Sequence, residues 1–103
     1  MSDEPKLYSV VMHDDAKEML YAHVRFVANV SIPAARKLRD TLYKAAESLE
    51  TMPHRCALYH TRRTTDVYRR LVVGRYRIVF TVNEAGSVVE TRYILDSRQD
   101  NDI

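Results

Sequence analysis

Tyr68-Arg-Arg-Leu-Val-Val-Gly74-Arg-Tyr-Arg77-Ile-Val-Phe-Thr-Val82 reads as two short strands around a tight turn at Gly74. Successive side chains of a strand point to opposite faces, so this pattern buries one face and leaves the other polar. Tyr76, Ile78, Phe80 and Val82 share the core-facing side of the second strand. Arg75, Arg77, Val79 and Thr81 share the other. Four arginines fall within ten residues here: Arg69, Arg70, Arg75 and Arg77. That is more fixed positive charge than packing requires, and it points to a surface that meets an anionic or acidic partner. Arg98, just beyond the last expected strand, can reach the Arg77 face and joins the same set.

Outward from this hairpin, residues 6–13 read as a first strand. Asp14 or Asp15 is suited to cap a helix running to about Asn29, because a short side-chain oxygen accepts from the free N–H groups of a first turn. Ala16, Met19 or Leu20, Val24, and Phe26 or Val27 give that helix one apolar stripe. Ser31 caps a second helix and Pro33 sits in its first turn. Leu38, Leu42 and Leu49 line its inner side, and Pro53 ends it by pushing Met52 out of helical geometry. A short strand at Cys56–Tyr59 precedes a polar loop over 60–66. Strands follow at about 67–73, 75–83 and 87–95, with a turn at Asn83–Gly86. On the last strand, alternation sets Val89, Thr91, Tyr93 and Leu95 against Val88, Glu90, Arg92 and Ile94. Short connections make these three strands an antiparallel meander. The expected fold is α+β, in the order β-α-α-β-β-β: a helical hairpin on one face of a mainly antiparallel sheet.

The 103 residues suit one domain, with 1–5 and 98–103 expected as flexible ends. No apolar run approaches a membrane span, no secretory signal is evident, and the single Cys56 fits a reducing cytoplasm. The net charge of +2 hides strong segregation. Residues 51–80 hold seven arginines (55, 62, 63, 69, 70, 75 and 77) against Asp66 alone. Such a patch focuses potential, and arginine forks grip phosphate or carboxylate bidentately. His13, His23, His54 and His60 with Cys56 show no zinc spacing, so no metal and no cofactor is expected. Two glycines leave no phosphate loop. His23 reads as a partly buried core residue. Tyr59 and Tyr68 can stack on nucleic-acid bases.

The segment Tyr68-Arg-x-Leu-x-Val-Gly74-x-Tyr76-Arg77-Ile78-x-Phe80 resembles the central hairpin of the RelE/ParE superfamily of bacterial type II toxins. Ala16-x-x-Met19-Leu20-x-x-His23-Val24-x-Phe26-Val27 is similar to the family's first helix. Leu49-x-x-Met52-Pro53 resembles the end of its second, and Ile94-Leu-Asp-Ser-Arg98-Gln-Asp100 its C-terminal strand and tail. The resemblance spans residues 7–100 and implies the same fold. In the family's ribosome-dependent RNases it implies that Arg77 and Arg98 clamp the scissile phosphate of mRNA, with a Tyr, Lys, His or Glu moving the proton. Here no Tyr or His follows Arg98, and the strand leading into the hairpin, Tyr68-Arg69-Arg70, has no lysine. His60 is the one stand-in.

That departure favours the ParE-like branch, which binds and poisons DNA gyrase. Arg69, Arg70, Arg75, Arg77 and Arg98 are then target contacts. The alternatives are ribosome-dependent mRNA cleavage by Arg77, Arg98 and His60, or a non-toxic binding module of the same fold. A structural role remains open for Arg77 and Arg98, as ion-pair partners of Glu90 or Asp96. The resemblance further implies a cognate antitoxin, whose acidic segment neutralises the arginine block and whose apolar anchors enter grooves beside the helices.

Overall fold

Two apolar stripes at helical spacing and three alternating segments must bury their apolar sides on one another. The computed structural model describes residues 6–61 and 65–99. Strand β1 (Ser9–Met12) is followed by helices α1 (Asp14–Ala28) and α2 (Ile32–Glu47), then by strands β2 (Ala57–Tyr59), β3 (Tyr68–Val73), β4 (Tyr76–Asn83) and β5 (Val88–Asp96). The strands form one sheet in the order β1-β5-β4-β3-β2. All pairings are antiparallel except β1 with β5, which is parallel. The expected order and class are therefore those observed. The helical hairpin covers one face, here called the helix face; the opposite one is the far face.

Local signals account for most boundaries. The Ser31 hydroxyl accepts from the Ala34 amide at 3.2 Å, and Pro33 occupies the first turn of α2, as the sequence indicates. The first helix differs. His13 stands at its N-cap without a side-chain cap, and Asp14 and Asp15 lie inside the first turn. There their carboxylates still favour the positive end of the helix dipole. Helix α2 stops at Glu47 and tightens into a 3-10 turn over Ser48–Glu50, before Pro53 is reached. The chain then reverses at Met52, which has φ +48°. The Arg55 guanidinium donates to the Thr51 and Met52 carbonyls, at 2.7 and 3.1 Å, and holds that reversal. Gly74 takes φ +59° as the first of two turn residues between the paired Val73 and Tyr76. A positive φ at that place suits a two-residue hairpin, and glycine adopts it without Cβ strain.

The helix-face core is built from Ala16, Leu20, Leu42, Ala46 and Leu49 against Ile78, Phe80, Val89 and Ile94. Strict alternation holds on β4 and fails on β5. A bulge shifts the register between Val79 and Phe80: Val79 pairs with Tyr93, while Phe80 pairs with Thr91. Arg92 is the extra residue. Ile94 therefore joins Val89 on the helix face, and Tyr93 and Leu95 turn to the far face. This corrects the expected grouping of Val89, Thr91, Tyr93 and Leu95. The far face also has a small core of its own, in which Tyr68, Val79 and Leu95 are buried with Tyr59 and Tyr93 packed against them.

A polar clasp ties the β1 edge down. The Glu84 carboxylate, in the β4–β5 turn, accepts from Tyr8 Oη at 3.0 Å and Lys6 Nζ at 3.1 Å, and pairs with His54 Nε2. It thereby joins the approach to β1, the α2–β2 connection and the β4–β5 turn. The hydrogen bond from His54, then those from Lys6 and Tyr8, hold the Glu84 carboxyl at about 2, below its ordinary 4.5.

Two tests come from this packing. Phe80 is fully buried, so Phe80→Ala should cost about 3–5 kcal/mol in a denaturant titration. A depressed carboxyl contributes stability that is complete above its unfolded value and is lost as pH falls toward its folded one. The melting temperature should therefore fall as pH drops from about 4.5 toward 2, and Glu84→Gln should flatten that slope while lowering the melt at neutral pH.

Candidate functional site

The far face is assembled by register. Val72 pairs with Arg77, and Arg70 with Val79, across β3 and β4. Leu95 pairs with Arg77, and Tyr93 with Val79, across β4 and β5. Tyr59 pairs with Tyr68, and Ala57 with Arg70, across β2 and β3. Arg70 and Arg77 thus rise from a floor of Tyr59, Tyr68, Val79, Tyr93 and Leu95. The rings of Tyr68 and Tyr93 meet edge to face at 6.2 Å. The Arg77 guanidinium carbon stands 6.0 Å from the Tyr59 ring centroid. Such a contact favours a cation but leaves its N–H groups to find acceptors.

Arg77 lacks one of those acceptors. Its Nε is buried and has no hydrogen-bond partner among the described residues. A buried unsatisfied donor is costly, and an incoming carboxylate, phosphate or carbonyl oxygen would remove that cost. Glu90 does not fill the role. It accepts from Thr81 Oγ1 at 3.3 Å and lies 3.7 Å from His13 and 4.0 Å from Arg92. Exposed Arg70 makes no ion pair among the described residues. Burial pushes the Tyr68 hydroxyl up, which makes it a poor proton acceptor near neutral pH.

The other arginines of the expected set lie elsewhere. Arg69 points to the helix face and donates to the Cys56 carbonyl at 2.7 Å and the His54 carbonyl at 3.4 Å, so it stitches β3 to the segment before β2. Arg75 occupies the β3–β4 turn, its guanidinium carbon 5.7 Å from the Tyr76 ring. Arg98 is held by Asp96: Nη2 to Oδ2 is 2.8 Å and Nε to Oδ1 is 3.2 Å. Asp96 is itself buried, and Arg98 holds its carboxyl down at about 2. Asp96 pairs with Tyr76 on the helix face. Arg98 accordingly lines a cavity of about 490 Å³ with Met19, His23, Phe26 and Tyr76. Arg77 and Arg98 therefore stand on opposite sides of the sheet, and the expectation that Arg98 reaches the Arg77 face is corrected. The ion pair foreseen as the structural role of Arg98 is formed.

His60 is exposed just after β2, beside Tyr59 and Tyr68 in a surface pocket. Arg62 and Arg63 lie outside the described residues. His23 is half-buried and its Nε2 donates to the Ile94 carbonyl at 2.7 Å, in keeping with a core role. Cys56 is buried and unpaired, and burial raises its thiol, the opposite of nucleophile activation. Among the described residues no group of three or more His, Cys, Asp or Glu is placed to hold a metal ion. No described helix is long and apolar enough to cross a membrane. Sequence reasoning missed Tyr93 and Leu95 as the floor beneath Arg77, because the bulge that turns them leaves no compositional mark. It also missed Glu84, whose partners are up to 78 residues away in sequence.

Comparison with known proteins places this geometry. Several solved structures share the fold. The chromosomal ParDE toxin–antitoxin system of P. aeruginosa aligns with a TM-score of 0.70 at 16% identity, over 88% of this chain and 97% of that one. The RelBE2 toxin–antitoxin complex of Mycobacterium tuberculosis aligns at 0.62 and 19% identity, over 92% and 97%. The archaeal RelE–RelB complex of Pyrococcus horikoshii OT3 aligns at 0.58 and 17% identity, over 91% and 99%. No curated relative matches by sequence. Residues 10–101 match the family described as the ParE toxin of the type II toxin–antitoxin system parDE. With nearly the whole chain inside that match and the same helical hairpin on the same sheet, this protein belongs to the ParE toxin family of type II toxin–antitoxin systems.

Proposed function

We propose that this toxin inhibits growth by binding and poisoning DNA gyrase through the far face, and that a cognate antitoxin keeps it silent. The observation that carries the first part is the placement of Arg77 and Arg98 on opposite sides of the sheet. Cleavage of the kind the resemblance implies for ribosome-dependent RNases needs both arginines on one phosphate. Binding to a protein target needs only a defined face. Arg77, with a buried Nε that lacks an acceptor, and exposed Arg70 supply one, over an aromatic floor suited to an interface. The family match supports the same branch. The antitoxin is supported by structural neighbours, a toxin–antitoxin system of P. aeruginosa and a toxin–antitoxin complex of M. tuberculosis. A second reading, mRNA cleavage on the ribosome, rests on His60 following Tyr59, the ring beneath Arg77.

Purified chain should inhibit gyrase supercoiling, and its expression should arrest growth, induce the DNA-damage response and leave mRNA intact. Codon-phased 5′ ends without any effect on gyrase would establish the second reading instead. Normal growth at high soluble expression, in the native host included, would indicate a binding module without toxicity.

Substitutions separate contact from scaffold. Arg77→Ala should abolish growth inhibition while changing stability by less than about 1 kcal/mol, since no ion pair is lost. The missing target contact is expected to be worth roughly 2–5 kcal/mol. Arg69→Ala should instead lower stability by about 1.5–3 kcal/mol, through its hydrogen bonds to the Cys56 and His54 carbonyls. Arg98→Ala should also destabilise, because it leaves the buried Asp96 carboxylate without its cation. For both, toxicity should track the folded fraction. Thermal melts and growth curves on the same variants provide the check.

A further inference from the structure

The cavity of about 490 Å³ between α1 and the end of β5 has the size of a small-molecule site. Its apolar wall is Met19, Ala22 and Phe26, three and four residues apart on one side of α1. Phe26 is 66% exposed, so a large apolar ring stands at the mouth largely uncovered. Tyr76 and His23 form the floor, their ring centroids 5.1 Å apart. The His23 ring is fixed there by its 2.7 Å bond to the Ile94 carbonyl. The remaining wall is polar. Asp96 takes Nε and Nη2 of Arg98, and Nη1 makes no hydrogen bond among the described residues. Arg98 and then Arg75 hold the Asp96 carboxyl down, so two guanidinium charges act on one buried carboxylate. Tyr76 is only 6% exposed, and its hydroxyl has no hydrogen-bond partner among the described residues. That oxygen is not sealed in the core, where the orphaned side-chain atoms are Arg77 Nε and Thr91 Oγ1. Arg98 is held in its charged form chiefly by Asp96 and further by the Tyr76 oxygen, which therefore stands near the guanidinium.

We infer that this cavity binds a small aromatic monocarboxylate, its ring against Met19, Phe26 and His23 and its carboxylate on Arg98 Nη1 and the Tyr76 hydroxyl. The lining narrows the ligand. Most of it is apolar or aromatic, so a bare inorganic anion would leave that surface wet, whereas a ring covers it. The polar end offers charge-assisted donors with one positive charge in excess, which suits a single carboxylate better than a dianion. Asp96 does not exclude such a ligand, because it is buried and its charge is taken up by Arg98. A guanidinium serves two carboxylates at once when each takes a different edge of its fork. A neutral ligand would cover that edge and leave its N–H groups without a matching charge. The occupant ties α1 to the end of β5, and a ligand that binds only the folded chain raises its stability. The site lies on the helix face, away from Arg70 and Arg77, and its chemistry is independent of the toxic target.

The test uses the full chain and three probes: 3-phenylpropionate, its neutral amide 3-phenylpropionamide, and propionate, which lacks the ring. Titration followed by backbone amide chemical shifts should give 3-phenylpropionate a Kd of about 1 mM or tighter. The shifts should centre on Ala22, His23, Phe26 and Arg98. The neutral amide and propionate should each bind at least about tenfold more weakly. Tyr76→Phe keeps the ring and should weaken 3-phenylpropionate about fivefold. Ala22 is exposed on α1, so Ala22→Trp fills the mouth without disturbing the core and should abolish binding. Melting curves without probe check that both variants fold. If Tyr76→Phe does not, Ala22→Trp and the neutral probe decide. No shifts with 3-phenylpropionate up to about 10 mM overturn the inference. Equal affinity for the amide overturns it by removing the carboxylate from recognition, and affinity that survives Ala22→Trp overturns it by removing the cavity. Unchanged affinity in a folded Tyr76→Phe, or shifts centred on Arg77 instead, overturn the placement of the carboxylate.

Discussion

One extra residue on β5 decides how the charged groups of this protein are distributed. The bulge at Arg92 shifts pairing between Val79 and Phe80, and from that point the side chains of β5 exchange faces. A bulge does this because two residues oppose one, and a period of two then restarts out of phase. Without it, Asp96 would lie on the far face and carry Arg98 with it. With it, Asp96 is buried beside Tyr76 on the helix face, and Arg98 closes over a cavity against α1. The same shift sends Tyr93 and Leu95 beneath Arg77. The two arginines that the family resemblance joins on one phosphate are kept apart by this single irregularity.

The central strand β4 is buried on both faces. Ile78 and Phe80 are fully buried under the helices, and Val79 is fully buried between Tyr68 and Leu95. Arg77 is therefore presented from a strand whose backbone is paired on both sides. A side chain so placed has little freedom left to lose, which is the condition under which a contact is strong and selective. The edges are treated differently. Strand β1 pairs only with β5, and its approach is clamped by the Glu84 carboxylate through Lys6, Tyr8 and His54.

Membership of the ParE toxin family gives this division a functional frame. The far face combines arginines with an aromatic floor, while the helix face combines apolar grooves with a cationic rim. Cys56, His23 and Tyr68, the other chemically suggestive side chains, are absorbed by packing: each is wholly or half buried, and burial or a backbone hydrogen bond accounts for it.

Local patterns along the chain determined the element order, the helical hairpin, the Ser31 cap, the turn at Gly74 and the core side of β4. All of these rest on interactions within a few residues or on strict periodicity, which a sequence displays directly. The resemblance carried by Tyr68–Phe80 and the flanking segments pointed to the toxin superfamily for the same reason. Tertiary structure alone decided the rest. The parallel placement of β1 beside β5 depends on a crossover through both helices. The fate of each arginine depends on which face its strand presents: Arg69 is consumed by the Cys56 and His54 carbonyls, Arg98 by Asp96, and Arg77 retains a buried donor without an acceptor. In sequence these residues are equivalent members of one basic block. The physical difference among them is the set of groups that folding brings within hydrogen-bonding distance, and one bulged residue changes that set for the whole end of β5.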